Sequence, residues 1–263
     1  MKRRLSTRGL KGSFLIALLD LALAPPLHAI THGQLDGTAH PYVGAFLTAD
    51  TGNACSGSLL SPWVFLTAAH CVTEGELVFL TADEDALSPD ALVVTGTAHP
   101  DPESDRCEGP GKGNGGKQQP HCLGHDVAVI TLDAPIFVSR YAQLPEEGLA
   151  DTLRQGQPLT VVGYGAQSVD PSTRDFVADG HRYGASVNLD TAGQGFVGLL
   201  KLSANPGGGK GGICYIDSGG PDLLDDVILS INTDTNNALC RGITYGYRID
   251  QASALEFIES FLP

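Results

Sequence analysis

Three short segments carry side chains able to do chemistry on one another: Thr67-Ala-Ala-His70-Cys71, Gly124-His125-Asp126-Val127-Ala128-Val129 and Asp217-Ser218-Gly219-Gly220-Pro221. Each is unremarkable alone. A single histidine is usually a satisfied core or surface residue, and Ser-Gly-Gly-Pro makes a reasonable turn. An imidazole, a carboxylate and a hydroxyl are nevertheless the set needed for nucleophilic catalysis by serine. The competing chemistry would be metal binding. No Cys-x-x-Cys occurs, and adjacent Cys/His pairs such as His70-Cys71 do not make up a zinc-ligand spacing, so a zinc site is not expected. Asp83-Glu84-Asp85 reads as a solvated acidic turn in preference to a calcium site. Gly111 to Lys117 formally matches the start of a phosphate-binding loop, but Gln118 replaces the hydroxyl residue and Pro120 stops a following helix. No cofactor is expected.

The elements that must position these groups are strands. Among 263 residues, 33 Gly and 16 Pro exclude a helical bundle, while 42% hydrophobic and 17% charged residues exclude a disordered acidic tail. The formal charge of −14 argues against nucleic-acid binding through phosphate neutralisation. Short apolar or alternating runs at 43–47, 58–60, 63–66, 77–80, 91–94, 127–132, 159–162 and 227–231 are bounded by Gly, Pro, Asp or Asn and predict β-strands. Only the C-terminus reads as helix, with Asp250 as the N-cap and Leu255, Ile258 and Leu262, broadened by Phe261, as the docking stripe.

The N-terminus has the layout of a secretory signal. Lys2, Arg3, Arg4, Arg8 and Lys11 precede an apolar run, Phe14 to Ala24, too short to span a bilayer. Cleavage after Ala24 would leave Pro25 first, so cleavage after Ala29 is preferred, leaving Ile30. Arg3-Arg4 fits a twin-arginine signal poorly. The remaining 234 residues would carry 11 basic and 29 acidic side chains, a charge of −18, and no second stretch long enough for a membrane span. The expected location is extracellular or periplasmic. Six cysteines in an exported chain imply three disulfides, and fifteen pairings are open.

Taken together and in the order His, Asp, Ser, the three segments resemble the chymotrypsin-like (trypsin family) serine proteases, of the secreted bacterial type. Cys55-Ser-Gly-Ser58-Leu59-Leu60 before the histidine, Gly163-Tyr164-Gly165 in place of Gly-Trp-Gly, and Tyr247-Arg248-Ile249-Asp250 before the last helix extend the resemblance over the chain from Ile30 onward. The resemblance implies an all-β fold of two packed Greek-key six-stranded barrels with a C-terminal helix. Residues 1–29 would be the signal, 30–145 the barrel carrying His70 and Asp126, and 146–263 the barrel carrying Ser218. It implies Cys55–Cys71 and Cys214–Cys240 bridges and leaves Cys107–Cys122 as a pair within an insertion, a stapled surface loop.

The implied activity is endopeptidase action on polypeptide substrates by a monomer, with no nucleic acid or membrane as partner. His70 would be the general base for Ser218, and Asp126 would hold the imidazole tautomer. The backbone N–H groups of Ile216 and Ser218 would form the oxyanion hole. A freed Ile30 ammonium would pair with Asp217. His125 would sit on a strand facing away from the site.

Two departures stand out. Ile216 replaces a near-invariable glycine, and a β-branched residue there predicts a flipped peptide and weakened activity. Gly212 stands where a trypsin-like enzyme has aspartate, and Thr233, Asp234 and Thr235 line the substrate edge, with Thr235 narrowing the mouth. Small or medium neutral side chains, and not Lys or Arg, are expected in the specificity pocket formed by Gly212, Thr233 and Thr235. The alternative is a catalytically impaired protease-fold protein serving as a binding or regulatory module.

Overall fold

The computed structural model describes residues 30–104, 124–192, 198–204 and 210–263. The expected signal segment, the Cys107–Cys122 pair and the Gly111–Lys117 run lie outside the described residues.

After a two-residue strand, β1 (Gln34–Leu35), six antiparallel strands close a barrel in the order β2-β3-β4-β7-β6-β5. Their ranges are β2 Val43–Thr48, β3 Ala54–Ser61, β4 Val64–Thr67, β5 Leu77–Thr81, β6 Val94–Pro100 and β7 Ala128–Leu132. Alternation drives the closure. Phe46, Leu59, Phe65, Val78, Leu80 and Ile130 are buried together on its inner face.

The second barrel uses β8 Pro158–Gly163, β11 Tyr183–Ala192, β12 Leu199–Ala204, β13 Pro221–Leu224, β14 Val227–Thr235 and β15 Gly242–Arg248. They pair in the order β11-β12-β15-β14-β13-β8, and β8 pairs back onto β11 to close the ring. A hairpin of β9 (Ser168–Val169) and β10 (Phe176–Val177) stands apart from both barrels. The interior is filled by Leu159, Val161, Val187, Leu189, Leu200, Leu202 and Leu229, with Ile30 buried beside them.

The barrels are tied by a buried guanidinium. Arg182, just before β11, donates to the carbonyls of Val43 (2.9 Å) and Ala82 (3.0 Å) in the first barrel and to the Tyr164 hydroxyl (3.1 Å). Its Nε pairs with Asp36 at 3.1 Å, both side chains being 3% exposed. Burial, with the Asp36 and Asp83 carboxylates nearby, pushes the Tyr164 hydroxyl up to about 12 in spite of Arg182. Tyrosine in the Gly163-Tyr164-Gly165 segment thus serves as a hydrogen-bonding strut that an indole could not reproduce with the same geometry.

The helix α1, Ala252–Glu259, buries Ala254 and Ile258 in an apolar cluster that joins first-barrel residues to residues of the second. Leu255, Phe257, Phe261 and Leu262 pack around it, and Phe261 stacks on His99 of β6 at 5.3 Å. Three expectations need correction. Asp250 does not cap the helix. Gln251 holds the N-cap position without a side-chain bond, because Asp250 is taken by Arg248 (2.8 Å) and by the Ala150 N–H (2.7 Å). Residues 91–93 are not strand, since Asp83 holds the Leu92 N–H at 2.5 Å and bends the chain until Val94. His125 is not on a strand: it adopts φ +58° in the turn before β7 and contacts Asp101 and Glu103, each at 3.2 Å.

Candidate active site

His70 lies on a single turn of 3₁₀ helix, Ala69–Cys71, immediately after β4. The Cys55–Cys71 disulfide fastens this turn to β3. Asp126 lies just before β7, the strand paired with β4, so hydrogen bonding between the two strands fixes the separation of the two residues. Asp126 Oδ1 accepts the backbone N–H of His70 at 2.9 Å, while Oδ2 meets Nδ1 at 2.9 Å. This double grip fixes both the backbone and the ring, leaving Nε2 as the nitrogen away from the carboxylate.

The electrostatics follow from that pairing. Burial lowers the His70 pKa, but the Asp126 carboxylate, with a smaller contribution from Asp234, outweighs it and holds the imidazole above its usual value. Burial alone would raise Asp126, but the charge and hydrogen bonds of His70, helped by the Thr233 hydroxyl, hold it below the ordinary carboxylate range. Thr233, expected in the substrate pocket, is therefore in contact with Asp126. It occupies a bulge in β14, between Asn232 and Asp234, and its hydroxyl also accepts the Tyr247 N–H.

Ser218 comes from the second barrel, in the turn leading into β13. Its carbonyl accepts the Ser56 N–H at 2.9 Å. Gly219 is left-handed at φ +79°, and a Cβ there would collide with the Thr67 hydroxyl, the Ser56 carbonyl and the Ala68 amide. The Ser218 turn is thus packed directly on the residues that run into His70, and glycine is what permits the approach. Two bonds of 2.8 Å, Gly219 N–H to Asn232 and Asn232 N–H to Gly220, bind the same turn to the strand carrying Thr233. Among the described residues no hydrogen bond joins the Ser218 hydroxyl to His70. Such bonds are often long before substrate arrives.

Ile216 does adopt a left-handed backbone, φ +76°, as the glycine it replaces could do without strain. Its carbonyl accepts the Ser56 hydroxyl at 2.9 Å, and that hydroxyl accepts the Tyr164 N–H at 3.1 Å. Asp217 is completely buried, and its carboxylate receives the N–H groups of Gly165 and Cys214, both at 2.8 Å. Burial outweighs these two donors and lifts its pKa to about 7. Ile30 is also fully buried, next to Thr31, which is bridged to Gly212 by backbone bonds of 2.9 and 3.1 Å. The Cys214–Cys240 disulfide closes this region. Thr235 ends β14, its hydroxyl donating to the Asn237 carbonyl at 3.1 Å.

Cys55, His70 and Cys71 bring three ligand-type atoms together, but both sulfurs are consumed in the disulfide and offer no thiolate.

Two closed antiparallel barrels, a C-terminal helix and a His–Asp pair at the seam define the chymotrypsin-like architecture. The Trypsin family model matches residues 32–253, and the chain belongs to that family. It is by that membership a serine-type endopeptidase, a hydrolase. A trypsin of Saccharopolyspora erythraea is 25% identical over 201 residues, covering 74% of this chain and 81% of that protein. Among solved structures, human heparin binding protein superimposes with a TM-score of 0.67 at 16% identity, covering 89% and 96% of the two chains. Neuropsin, a serine protease expressed in the limbic system of mouse brain, gives 0.65 at 19%, covering 89% and 100%. Those two likenesses bear on the fold alone.

Proposed function

We propose that the protein cleaves polypeptides through an acyl-enzyme on Ser218. His70 Nε2 takes the hydroxyl proton as Ser218 attacks the scissile carbonyl and returns it to the leaving amine; water then hydrolyses the ester by the same route. Asp126 keeps the proton on Nδ1 and stabilises the imidazolium. The N–H groups of Ile216 and Ser218 receive the developing oxyanion. The observation that carries this reading is the two-point grip of Asp126 on His70, backbone and ring, beside a Ser218 turn packed on Thr67 and Ala68. A fluorophosphonate probe should label the wild-type protein and not Ser218→Ala. Absence of labelling in the wild type would favour the second reading, a protease fold that binds or regulates, which the strained Ile216 keeps in view.

Residues 1–29 act as a secretory signal, and the working enzyme is a monomer of residues 30–145 and 146–263. Removal of the signal after Ala29 frees the Ile30 ammonium. Asp217, buried with two amide donors, is the carboxylate whose charge that ammonium would neutralise, ordering the oxyanion turn. N-terminal sequencing of exported protein should begin at Ile30. Gly212 brings no side chain to the specificity pocket and Thr235 narrows it, so small or medium neutral side chains are preferred before the scissile bond; a peptide library read by mass spectrometry checks this.

A further inference from the structure

Ser56, in β3, is completely buried and bonded on every side to segments on which the site depends. Its N–H donates to the Ser218 carbonyl at 2.9 Å, and its carbonyl accepts the Thr67 hydroxyl at 2.8 Å, just ahead of His70. Its own hydroxyl accepts the Tyr164 N–H at 3.1 Å and meets the Ile216 carbonyl at 2.9 Å. A serine hydroxyl has one proton to give, and an amide N–H cannot accept it, so the proton goes to the Ile216 carbonyl. Gly163 makes room for this bond, since a Cβ there would crowd the Ser56 oxygen at 3.3 Å.

The peptide on the other side of Ile216 is held as well. The Tyr215 carbonyl accepts the Ala166 N–H at 2.8 Å, and the Tyr215 ring stacks on Phe176 at 5.3 Å. This peptide is trans, so its C=O and N–H point in opposite directions. With the Tyr215 carbonyl turned to Ala166, the Ile216 N–H points away from it, and among the described residues no group accepts that N–H. Both carbonyls that flank the Ile216 Cα are therefore anchored, and the left-handed φ of +76° is imposed on the residue between them. Turning the Tyr215–Ile216 peptide over would return Ile216 to a negative φ, which a β-branched residue prefers. It would also bring a carbonyl to the place where the N–H is needed.

We propose that Ser56 is a positioning residue for the peptidase reaction: its hydroxyl holds the Ile216 carbonyl so that the Ile216 N–H stays aimed into the oxyanion hole against the strain of the β-branched side chain. The assignment rests on the acyl-enzyme reading above. It joins two residues 160 positions apart into one device, in which the donor on β3 is needed because the residue at 216 is not glycine.

A double-mutant cycle on the exported enzyme tests this, with a short p-nitroanilide substrate and rates taken per titrated active site. Ser56→Ala should lower kcat about 5- to 20-fold, the scale of one hydrogen bond, and leave KM unchanged, because the oxyanion forms only in the transition state. A peptide aldehyde, whose tetrahedral adduct puts an oxygen in the hole, should lose affinity by the same factor. The matching peptide alcohol, which forms no adduct, should bind as before. In the Ile216→Gly background the same substitution should cost less than about twofold, since glycine holds the turn unaided. Ser56→Gly, which also lacks the hydroxyl, repeats the comparison should Ser56→Ala fail to fold. An equal loss of kcat in both backgrounds, a loss confined to KM, or an unchanged kcat would overturn the proposal while fluorophosphonate labelling of Ser218 continued. Absence of labelling in the wild type would remove the peptidase reading itself, and this assignment with it.

Discussion

Replacing Ile216 by glycine tests how backbone strain governs the oxyanion turn. Ile216 sits at φ +76°, a region in which an L-residue is disfavoured by about 1–2 kcal/mol, with β-branching adding to the cost. That energy works against the competent turn relative to a flipped one, in which the 216 N–H leaves the hole. Each ~1.4 kcal/mol of bias corresponds to a tenfold change in the competent population, so relief of the strain should raise kcat about 5- to 30-fold. The Ser56 hydroxyl on the Ile216 carbonyl already opposes flipping at the following peptide, which places the expected gain at the lower end. Stability should change little, because glycine loses backbone entropy of about 0.5–1 kcal/mol and the half-buried Ile packing as the strain disappears. The assay is turnover of a short p-nitroanilide with active-site titration, so that the rate refers to competent enzyme. An unchanged or lower kcat in a folded, fully titratable variant would refute the reasoning.

Further outcomes follow from the same structure. Because Asp126 and Asp234 hold His70 above its ordinary value of 6.5, kcat/KM should fall on the acid side with an apparent pKa above 6.5. Asp234→Asn, removing one of those negative charges, should move that limb to lower pH in a pH–rate profile. Arg182→Met should cost about 3–5 kcal/mol in urea unfolding, since it leaves the Asp36 carboxylate buried without its guanidinium and removes the strut between the barrels. In the unprocessed chain, which lacks a free Ile30 ammonium, Asp217 and Asp222 are both lifted to about 7 by complete burial, each opposed by hydrogen bonding. Between about pH 4 and 7 the folded chain therefore keeps protons that the unfolded chain has lost, and stability should fall as pH rises, by up to about 4 kcal/mol per carboxylate. Thermal melts across this window should show the fall, and Asp222→Asn should reduce it.

What the sequence made legible was local. In the first barrel, apolar runs bounded by turn residues coincide with strands, because those strands bury bulky branched side chains at alternate positions. In the second, β11 shows apolar/polar alternation only over Val187 to Asp190, after the small residues Gly184, Ala185 and Ser186; β13 opens with Pro221 and Asp222, and β15 carries two glycines, so the runs were weak or broken. Their pairing is enforced by closure of the ring. The His70, Asp126 and Ser218 segments were recognisable from residue type and order, whereas the Cys55–Cys71 and Cys214–Cys240 bridges followed only from the family resemblance. The contact of Thr233 with Asp126 was not, since it depends on a bulge in β14 and on partners more than a hundred residues apart. Arg182 left no signal either. Its five donors find carbonyls and a carboxylate only once the two barrels are in register.

The route taken by the last residues has a mechanical consequence. The polypeptide leaves the barrel that carries Ser218 and ends by packing Ala254 and Ile258 into the apolar cluster shared by both barrels and Phe261 onto His99 of the barrel that carries His70. Neither half can drift from its neighbour without tearing out this hasp, so melting of one is coupled to melting of the other. Clipping the chain just beyond Ile249 should therefore disable proton transfer long before it unravels either ring of strands.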